Sequence, residues 1–194
     1  MCRLKSAIIL QDRVYIPNHD SHSDMLDELG IEDTPQNAEK LFVRAELAPK
    51  NNDIFEPVDN WTYIVDQDIL PDWYVDEYDK QRMISAVKEW VKKYIHQGID
   101  NLTIQDGGTH YCKDCINIRL SGNSTAELYG NSTAELYDNS TAKLYGNSTA
   151  IIIVTGATKL DNCIISDNAT LKDCRTKTIY QSGDWQYETI DNGG

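Results

Sequence analysis

An eight-residue repeat limits what this chain can fold into more than any other feature of its sequence. Residues 122–150 read GNSTAELY, GNSTAELY, DNSTAKLY and GNSTA. When the pattern is extended backwards in steps of eight, the first position is always Gly or Asp, which tolerate turn and left-handed backbone. The seventh position is apolar in the same units. The repeat therefore begins near Gly98, before it is obvious to the eye.

The alternation inside each unit predicts a strand. Positions three, five and seven (Ser, Ala, Leu) alternate with positions four, six and eight (Thr, Glu or Lys, Tyr), which is the period of a strand with one buried face. Eight extended residues span only about 26 Å, so one unit cannot enclose Leu, and two or three units are expected to form each coil of a β-solenoid. Stacked coils would align outward side chains in ladders made of Thr125, Thr133, Thr141, Thr149, Tyr129, Tyr137 and Tyr145.

The sequence after residue 153 predicts an irregular end to the solenoid. Residues 155–162 and 167–174 fit the repeat only after short insertions, and terminal repeats are commonly atypical because they cover an open sheet edge. Residues 178–190 have the pattern of two short aromatic strands. We interpret this tail as a cap or a dimerisation surface that uses Tyr180, Trp185 and Tyr187.

The first half of the sequence predicts a mixed domain. Apolar or alternating runs predict strands within residues 6–16, 41–47 and 61–65, and Ser21 or Ser23 is placed to cap a short helix that Gly30 ends. Residues 79–97 carry apolar side chains on one helical face and give the strongest helix prediction. The predicted fold is an α+β domain at residues 1–97, an octapeptide-repeat β-solenoid (a β-helix or β-roll) at residues 98–177, and a cap or dimerisation segment at residues 178–194.

Negative charge is concentrated before the repeat. The chain has a formal net charge of −13, and between Asp20 and Asp79 there are 17 Asp and Glu against three Lys and Arg. Such a surface disfavours direct binding to nucleic acid and favours a basic protein partner. The acidic residues predicted to contact that partner are Asp66, Asp68, Asp72, Asp76, Glu77 and Asp79.

Few residues are candidates for catalysis or metal binding. His110, Cys112 and Cys115 form an H-x-C-x2-C motif, but strand alternation predicts that the two thiols point in opposite directions, away from a shared zinc ion. His19 and His22 lie in a predicted turn and are expected to be solvated. No nucleophile accompanies the closely spaced carboxylates. We therefore predict a protein that is not an enzyme and that has no cofactor and no metal.

The sequence also carries an expectation about location. It opens with only a brief apolar run at residues 7–10, and nothing in it approaches a membrane span. Five cysteines in such a chain fit reduced thiols better than a disulfide framework. The expected location is the cytoplasm, with no attachment to a membrane.

Three stretches before the octads, MCRLKSAIIL, SHSDMLDELGIEDT and DQDILPDWYVDEYD, carry a resemblance when taken together with GNSTAELY. The chain resembles a group of small phage and mobile-element proteins that carry GNATVxAY-type octapeptide repeats behind a short mixed domain. The resemblance covers nearly the whole chain and supplies no catalytic residues. It implies a phage or prophage setting, in which small acidic proteins frequently inhibit host defence enzymes inside the host cell.

These observations lead to two functional expectations of different classes. The first is an anti-CRISPR inhibitor whose acidic surface mimics a phosphate array and occupies the basic nucleic-acid channel of a Cas effector nuclease. The alternative is a structural or assembly protein that forms a homodimer or larger particle through the solenoid or the aromatic tail. The regular outer ladders are also compatible with binding of carbohydrate or ice, which a cytoplasmic location disfavours.

Overall fold

Strand pairing separates the chain into an antiparallel sheet near the N-terminus and two largely parallel sheets after it. The computed structural model describes residues 5–153 and 163–182. Contacts between residues divide the chain into two units between Ile95 and His96, close to the predicted start of the repeat at Gly98.

The first unit combines a four-stranded sheet with helices. Its strands and helices are β1 (Lys5–Leu10), β2 (Val14–Tyr15), α1 (His22–Glu28), α2 (Pro35–Ala38), β3 (Phe42–Ala48), β4 (Thr62–Val65) and α3 (Asp76–Tyr94), with 3₁₀ turns at Lys50–Asn52 and Val58–Asn60. The strands pair antiparallel in the order β2, β1, β3, β4. All six residues of β1 are buried, which explains why residues 7–10 are continuously apolar rather than alternating.

Capping residues mark both ends of α1, and an apolar stripe anchors α3. The Ser21 hydroxyl accepts a hydrogen bond from Asp24 N at 3.2 Å and caps α1, and Gly30 follows the helix with a positive φ of 68°. The apolar stripe of α3 is buried through Met83, Val87 and Trp90, and the helix packs on β1 and β3. It ends at Tyr94 because the next residues extend into a strand.

A β-solenoid of about four coils covers residues 95–152, and all of it except Ile95 lies in the second unit. The strands are β5 (Ile95–Gln97), β6 (Thr103–Ile104), β7 (Thr109–Lys113), β8 (Ile118–Leu120), β9 (Thr125–Tyr129), β10 (Thr133–Leu136), β11 (Thr141–Leu144), β12 (Thr149–Ile152), β13 (Ile164–Ile165), β14 (Thr170–Asp173) and β15 (Thr178–Gln181). Odd-numbered strands from β5 to β13 form one sheet, and even-numbered strands from β6 to β14 form the other, with β15 added at its edge.

The strand register shows that two octads form each coil. Thr125 pairs in parallel with Thr141, and Thr133 pairs with Thr149, in each case one coil further along. The predicted inward positions are buried: the Ser rows, the Ala rows and the Leu rows of the central octads are at most 3% exposed. Consecutive strands therefore alternate between the two sheets, and their Ser, Ala and Leu side chains fill a narrow core between them.

The turns of the solenoid depend on the Gly or Asp at the first octad position. Gly122, Gly130, Asp138 and Gly146 all have positive φ values, between 51° and 67°. The Asp138 carboxylate also accepts a hydrogen bond from Gly122 N in the neighbouring coil, at 3.0 Å. Asp at this position therefore supplies the turn conformation and an acceptor for a backbone group that the strands leave unpaired.

Candidate functional site

The segment from residue 66 to residue 77 places acidic side chains on the surface of the first unit. It links β4 to α3, and no Lys or Arg occurs in the sequence between Lys50 and Lys80. Five of the six acidic residues that were predicted to contact a partner are exposed: Asp66, Asp68, Asp72, Asp76 and Glu77. We call residues 66–77 the acidic segment.

Two side-chain anchors and one buried proline fix the path of the acidic segment. The side-chain oxygen of Gln67 accepts a hydrogen bond from Arg44 N at 2.8 Å, and its side-chain nitrogen donates to Phe42 O at 3.2 Å. Trp73 donates its indole N–H to Lys40 O at 2.7 Å, and Pro71 is buried. The segment is thus held against β3 and the residues before it, although it forms no strand of its own.

Asp79 does not belong to the acidic surface, contrary to the sequence prediction. Its side chain is only 1% exposed. One carboxylate oxygen accepts from Val75 N at 2.8 Å, and the other accepts from Arg82 at 2.6 Å. Asp79 therefore satisfies a backbone N–H at the start of α3 and is neutralised by the next turn of the same helix, so it is not available to a partner.

Two tyrosines position Asp76 within the segment. Tyr74 donates its hydroxyl hydrogen to Asp76 Oδ1 at 2.7 Å, and the Tyr63 hydroxyl lies 3.0 Å from the Tyr74 oxygen. Burial is the largest cause that raises the pKa of both phenols. Both phenols therefore stay protonated at neutral pH and act as hydrogen-bond donors, which holds the Asp76 carboxylate in one direction.

Apolar side chains lie beside the carboxylates. Ile69 and Leu70 are 45% and 41% exposed, and Val75 and Tyr78 are 57% and 64% exposed. Large apolar side chains at this exposure are typical of surfaces that contact a partner when they cluster with ordered polar groups. The acidic segment therefore combines charge with contact area.

The predicted outer ladders form, and the two-octad coil divides them between the two sheets. Thr125 and Thr141 lie on one sheet with hydroxyl oxygens 2.9 Å apart, and Tyr129 stacks on Tyr145 with ring centroids 4.9 Å apart. Thr133 and Thr149 lie opposite each other on the other sheet, where Tyr137 directly follows β10. On that sheet, an open groove of about 480 Å³ is lined by Asn101, Thr103, Asn117, Arg119, Thr133, Ala134, Glu135, Thr149 and Ile151.

The predicted opposite orientation of Cys112 and Cys115 is wrong. Both thiols are fully buried and form a hydrogen bond with each other, which lowers the pKa of Cys115 to about 6 and raises the pKa of Cys112. The turn between them contains Asp114, which has a positive φ of 54°, and Asn117 just after the turn is also left-handed, with a φ of 57°. The left-handed residue Asp114 breaks the side-chain alternation before Cys115, which is buried with Cys112.

The H-x-C-x2-C motif nevertheless does not assemble three metal ligands. Across the described parts of the chain, one group of three His, Cys, Asp or Glu side chains lies close enough to share a cation, and it consists of His22, Glu46 and Asp66. That group is in the first unit, far from the motif in sequence.

His110 instead takes part in a buried chain of hydrogen bonds that the sequence reasoning missed. Its Nε2 lies 2.7 Å from Asp106 Oδ1, and its Nδ1 lies 3.1 Å from His96 Nε2. Because the carboxylate accepts, His110 carries its proton on Nε2 and accepts from the N–H of His96. Burial, followed by the neighbouring His110, lowers the pKa of His96 to about 4. The signal in the sequence was His110 itself, the one polar residue in an otherwise apolar row.

The residues predicted for the C-terminal cap are only partly described. Tyr180 lies in β15, which pairs antiparallel with β14 and continues its sheet. Its ring packs against the solenoid core. Trp185 and Tyr187 lie outside the described residues.

Comparisons with known proteins identified no relative of this chain. No protein-family model, no curated protein and no solved structure matches this chain. Among the described residues, no helix has the combination of length and apolar character that crossing a membrane requires.

Proposed function

We propose that the first unit is a non-enzymatic inhibitor module that binds the basic nucleic-acid channel of a Cas effector nuclease in the host cytoplasm. The observation that carries the proposal is the acidic segment, with five exposed carboxylates and no Lys or Arg within it. A channel that holds guide and target strands is lined with basic groups, and ordered carboxylates can occupy the places of phosphates. The resemblance to phage and mobile-element proteins supports this class of partner.

The structure of the segment suits this role for two further reasons. Gln67 and Trp73 fix the backbone, so little conformational entropy is lost when a partner binds. Exposed Ile69, Leu70 and Val75 supply apolar contacts, which contribute more to affinity than charges at the rim of an interface. Charge would then accelerate association and select basic partners.

The test uses two variants of equal charge. The first replaces Asp68, Asp72 and Asp76 by Asn, and the matched control carries Asp27→Asn, Glu32→Gln and Glu39→Gln, three exposed carboxylates that precede β3. Each protein is assayed for binding to purified Cas effector ribonucleoproteins and for inhibition of DNA cleavage, at low and high salt. We expect inhibition to weaken by about tenfold or more in the first variant, with less dependence on salt, and to stay near wild type in the control. Equal behaviour of the two variants would contradict the proposal.

A second candidate function, self-association as an assembly protein, is favoured by the outermost described strands of the solenoid. β13 and β15 are the last described strands of the two sheets, and each carries an exposed isoleucine: Ile164 is 49% exposed and Ile179 is 55% exposed. Apolar residues on open strands favour edge pairing between copies. Sedimentation velocity over a range of concentrations tests it, because a dimer formed there should be lost in Ile164→Lys and Ile179→Lys, whereas a wild-type protein that stays monomeric excludes it.

A further inference from the structure

Three side chains that can bind a metal meet on the first unit although they are far apart in sequence. His22 is the first residue of α1, Glu46 lies in β3, and Asp66 follows β4. Each offers one ligand atom, and these atoms all lie within 4.8 Å of one another. The antiparallel pairing of β3 with β4 and the position of α1 bring them together.

The imidazole of His22 is oriented as in a metal site. Its Nε2 lies 3.3 Å from Ala45 O, and its Nδ1 lies 3.2 Å from Asp66 Oδ2. A carbonyl only accepts, so Nε2 carries the hydrogen in the neutral ring and Nδ1 directs its lone pair towards the carboxylates. Histidine ligands commonly donate their second N–H to a backbone carbonyl in this way, which fixes the tautomer. The side chain is 11% exposed, so packing also restrains the ring.

The lone pair of Nδ1 in the neutral ring and the two carboxylates are the donor types that bind a divalent cation. The neighbouring acid Asp20 is already paired with Lys5 at 2.7 Å, so that lysine is not free to neutralise Glu46. Two carboxylates and one imidazole nitrogen therefore converge on the same point.

We propose that His22 Nδ1, Glu46 and Asp66 bind one divalent transition-metal ion of the Zn²⁺ type, with water completing the coordination. A tetrahedral site with bonds of about 2.0–2.1 Å places its ligand atoms about 3.4 Å apart, and the Nδ1 to Oδ2 distance of 3.2 Å already matches that edge. One imidazole and two carboxylates suit Zn²⁺ better than Mg²⁺ or Ca²⁺, which prefer oxygen ligands alone. Asp66 is exposed, so the ion can enter from solvent.

Occupation of this site would tie three elements together. The ion would join the start of α1, the middle of β3 and the first residue of the acidic segment, so binding should raise the unfolding temperature of the protein. It would also cancel charge at Asp66 without changing Asp68, Asp72 or Asp76. The site and the proposed inhibitor surface can therefore be tested separately.

The experiment titrates the full chain with Zn²⁺ by calorimetry and with Co²⁺ by absorption spectroscopy. We expect one ion per chain, a cobalt spectrum without a thiolate charge-transfer band, and a rise in unfolding temperature. His22→Gln and Asp66→Asn should each weaken binding by about tenfold or more. The exposed Asp66 also serves as the variant that leaves the fold intact, should His22→Gln fail to fold.

His19→Gln is the matched control. His19 lies in the same stretch and pairs with one carboxylate, Glu28, at 3.2 Å. It is not a member of the group formed by His22, Glu46 and Asp66. Binding should be unchanged in His19→Gln and in the variant that lacks the charges of Asp68, Asp72 and Asp76. A thiolate band, absence of binding, or equal affinity in His22→Gln, Asp66→Asn and wild type would overturn the proposal.

Discussion

A buried polar group of the first unit makes contacts that occur once in that unit, whereas in the solenoid the same contact recurs from coil to coil. In the first unit, buried Lys5 donates to Asp20 Oδ1 at 2.7 Å and to His19 O at 3.0 Å. In the solenoid, Ser132 donates to Tyr129 O at 2.7 Å, and Ser140 repeats this contact with Tyr137 O at 2.6 Å. The difference shows how each unit tolerates change: a lost single contact has no equivalent elsewhere, whereas a lost rung leaves its neighbours in place.

Asparagine ladders show the same repetition on the outside of the solenoid. Asn139 donates to Asn123 and Asn147 donates to Asn131, each at 3.4 Å and each across one coil. Asn168 continues the second ladder onto Asn147 at 3.2 Å, beyond the insertion that interrupts the octads. The repeat thus keeps its register at residues 167–174, as the sequence predicted, although the spacing in between is irregular.

The largest loss of stability is expected at Gly130, in a turn of the solenoid that packs against the Asp114 carboxylate. Gly130 has φ +64°, and a Cβ on it would overlap the Asp114 carboxylate, which accepts from Asn131 N at 3.0 Å. We expect Gly130→Ala to lower the free energy of unfolding by about 3 kcal/mol, from left-handed strain together with the disturbed hydrogen bond. Thermal unfolding followed by circular dichroism measures this.

Gly98→Ala is the control for strain alone. Gly98 has φ +62° with nothing within 4 Å of the added Cβ, so we expect a loss of about 1 kcal/mol. If the two variants lost equal stability, the contact between coils at Asp114 would contribute nothing, and the turn conformation alone would explain the glycine.

The next largest loss of stability is expected at the ion pair between buried Lys5 and Asp20 in the first unit. Lys5 is 1% exposed and its ammonium lies 4.9 Å from the centre of the Trp90 ring. Burial lowers its pKa, which Asp20 partly offsets. We expect Asp20→Ala to cost about 2 kcal/mol, since it leaves a buried charge without its carboxylate, and Lys5→Met to cost less than about 1 kcal/mol, since it removes the charge and keeps the packing. Urea unfolding followed by Trp fluorescence compares them, and the opposite order would contradict this account.

The two units also differ in how far the sequence predicted them. The octads predicted strands, inward Ser, Ala and Leu, and a coil of two or three units, because the same contact recurs at a fixed spacing. The pairing of Thr125 with Thr141 shows that each coil contains two units rather than three. In the first unit, the sequence predicted a mixed fold and the buried face of α3, since helical periodicity is local.

What the sequence did not reveal depends on backbone exceptions and on strand register. The inward direction of Cys115 follows a positive φ at Asp114, between the two cysteines, which a strict alternation cannot anticipate. The meeting of His22 with Glu46 and Asp66 follows from the pairing of β3 with β4, and His22 is largely buried rather than solvated as predicted. Asp79 was assigned to the surface because acidic residues usually lie there, yet its backbone and Arg82 partners bury it.

The smallest effect concerns the buried pair His96 and His110 at the start of the solenoid. His96 is 8% exposed, and its pKa is lowered to about 4 by burial and then by His110, with Asp106 opposing. In the unfolded chain, the pKa of histidine is about 6.5. Between these values the unfolded state binds more protons than the folded state, so stability falls as the pH is lowered from about 7 towards 4. Below pH 4, His96 is protonated in both the folded and the unfolded state, so it causes no further change in stability.

We expect this group to contribute about 1–2 kcal/mol between pH 7 and pH 4.5, after allowance for screening by solvent. His96→Gln removes the titration and keeps a side-chain N–H for His110, so the difference in unfolding temperature between wild type and this variant isolates His96 from the many carboxylates. The wild type should lose its advantage progressively as the pH falls. Parallel curves at all pH values would mean that His96 takes up its proton in the folded state as easily as in water, and that the hydrogen bond to His110 does not hold it neutral.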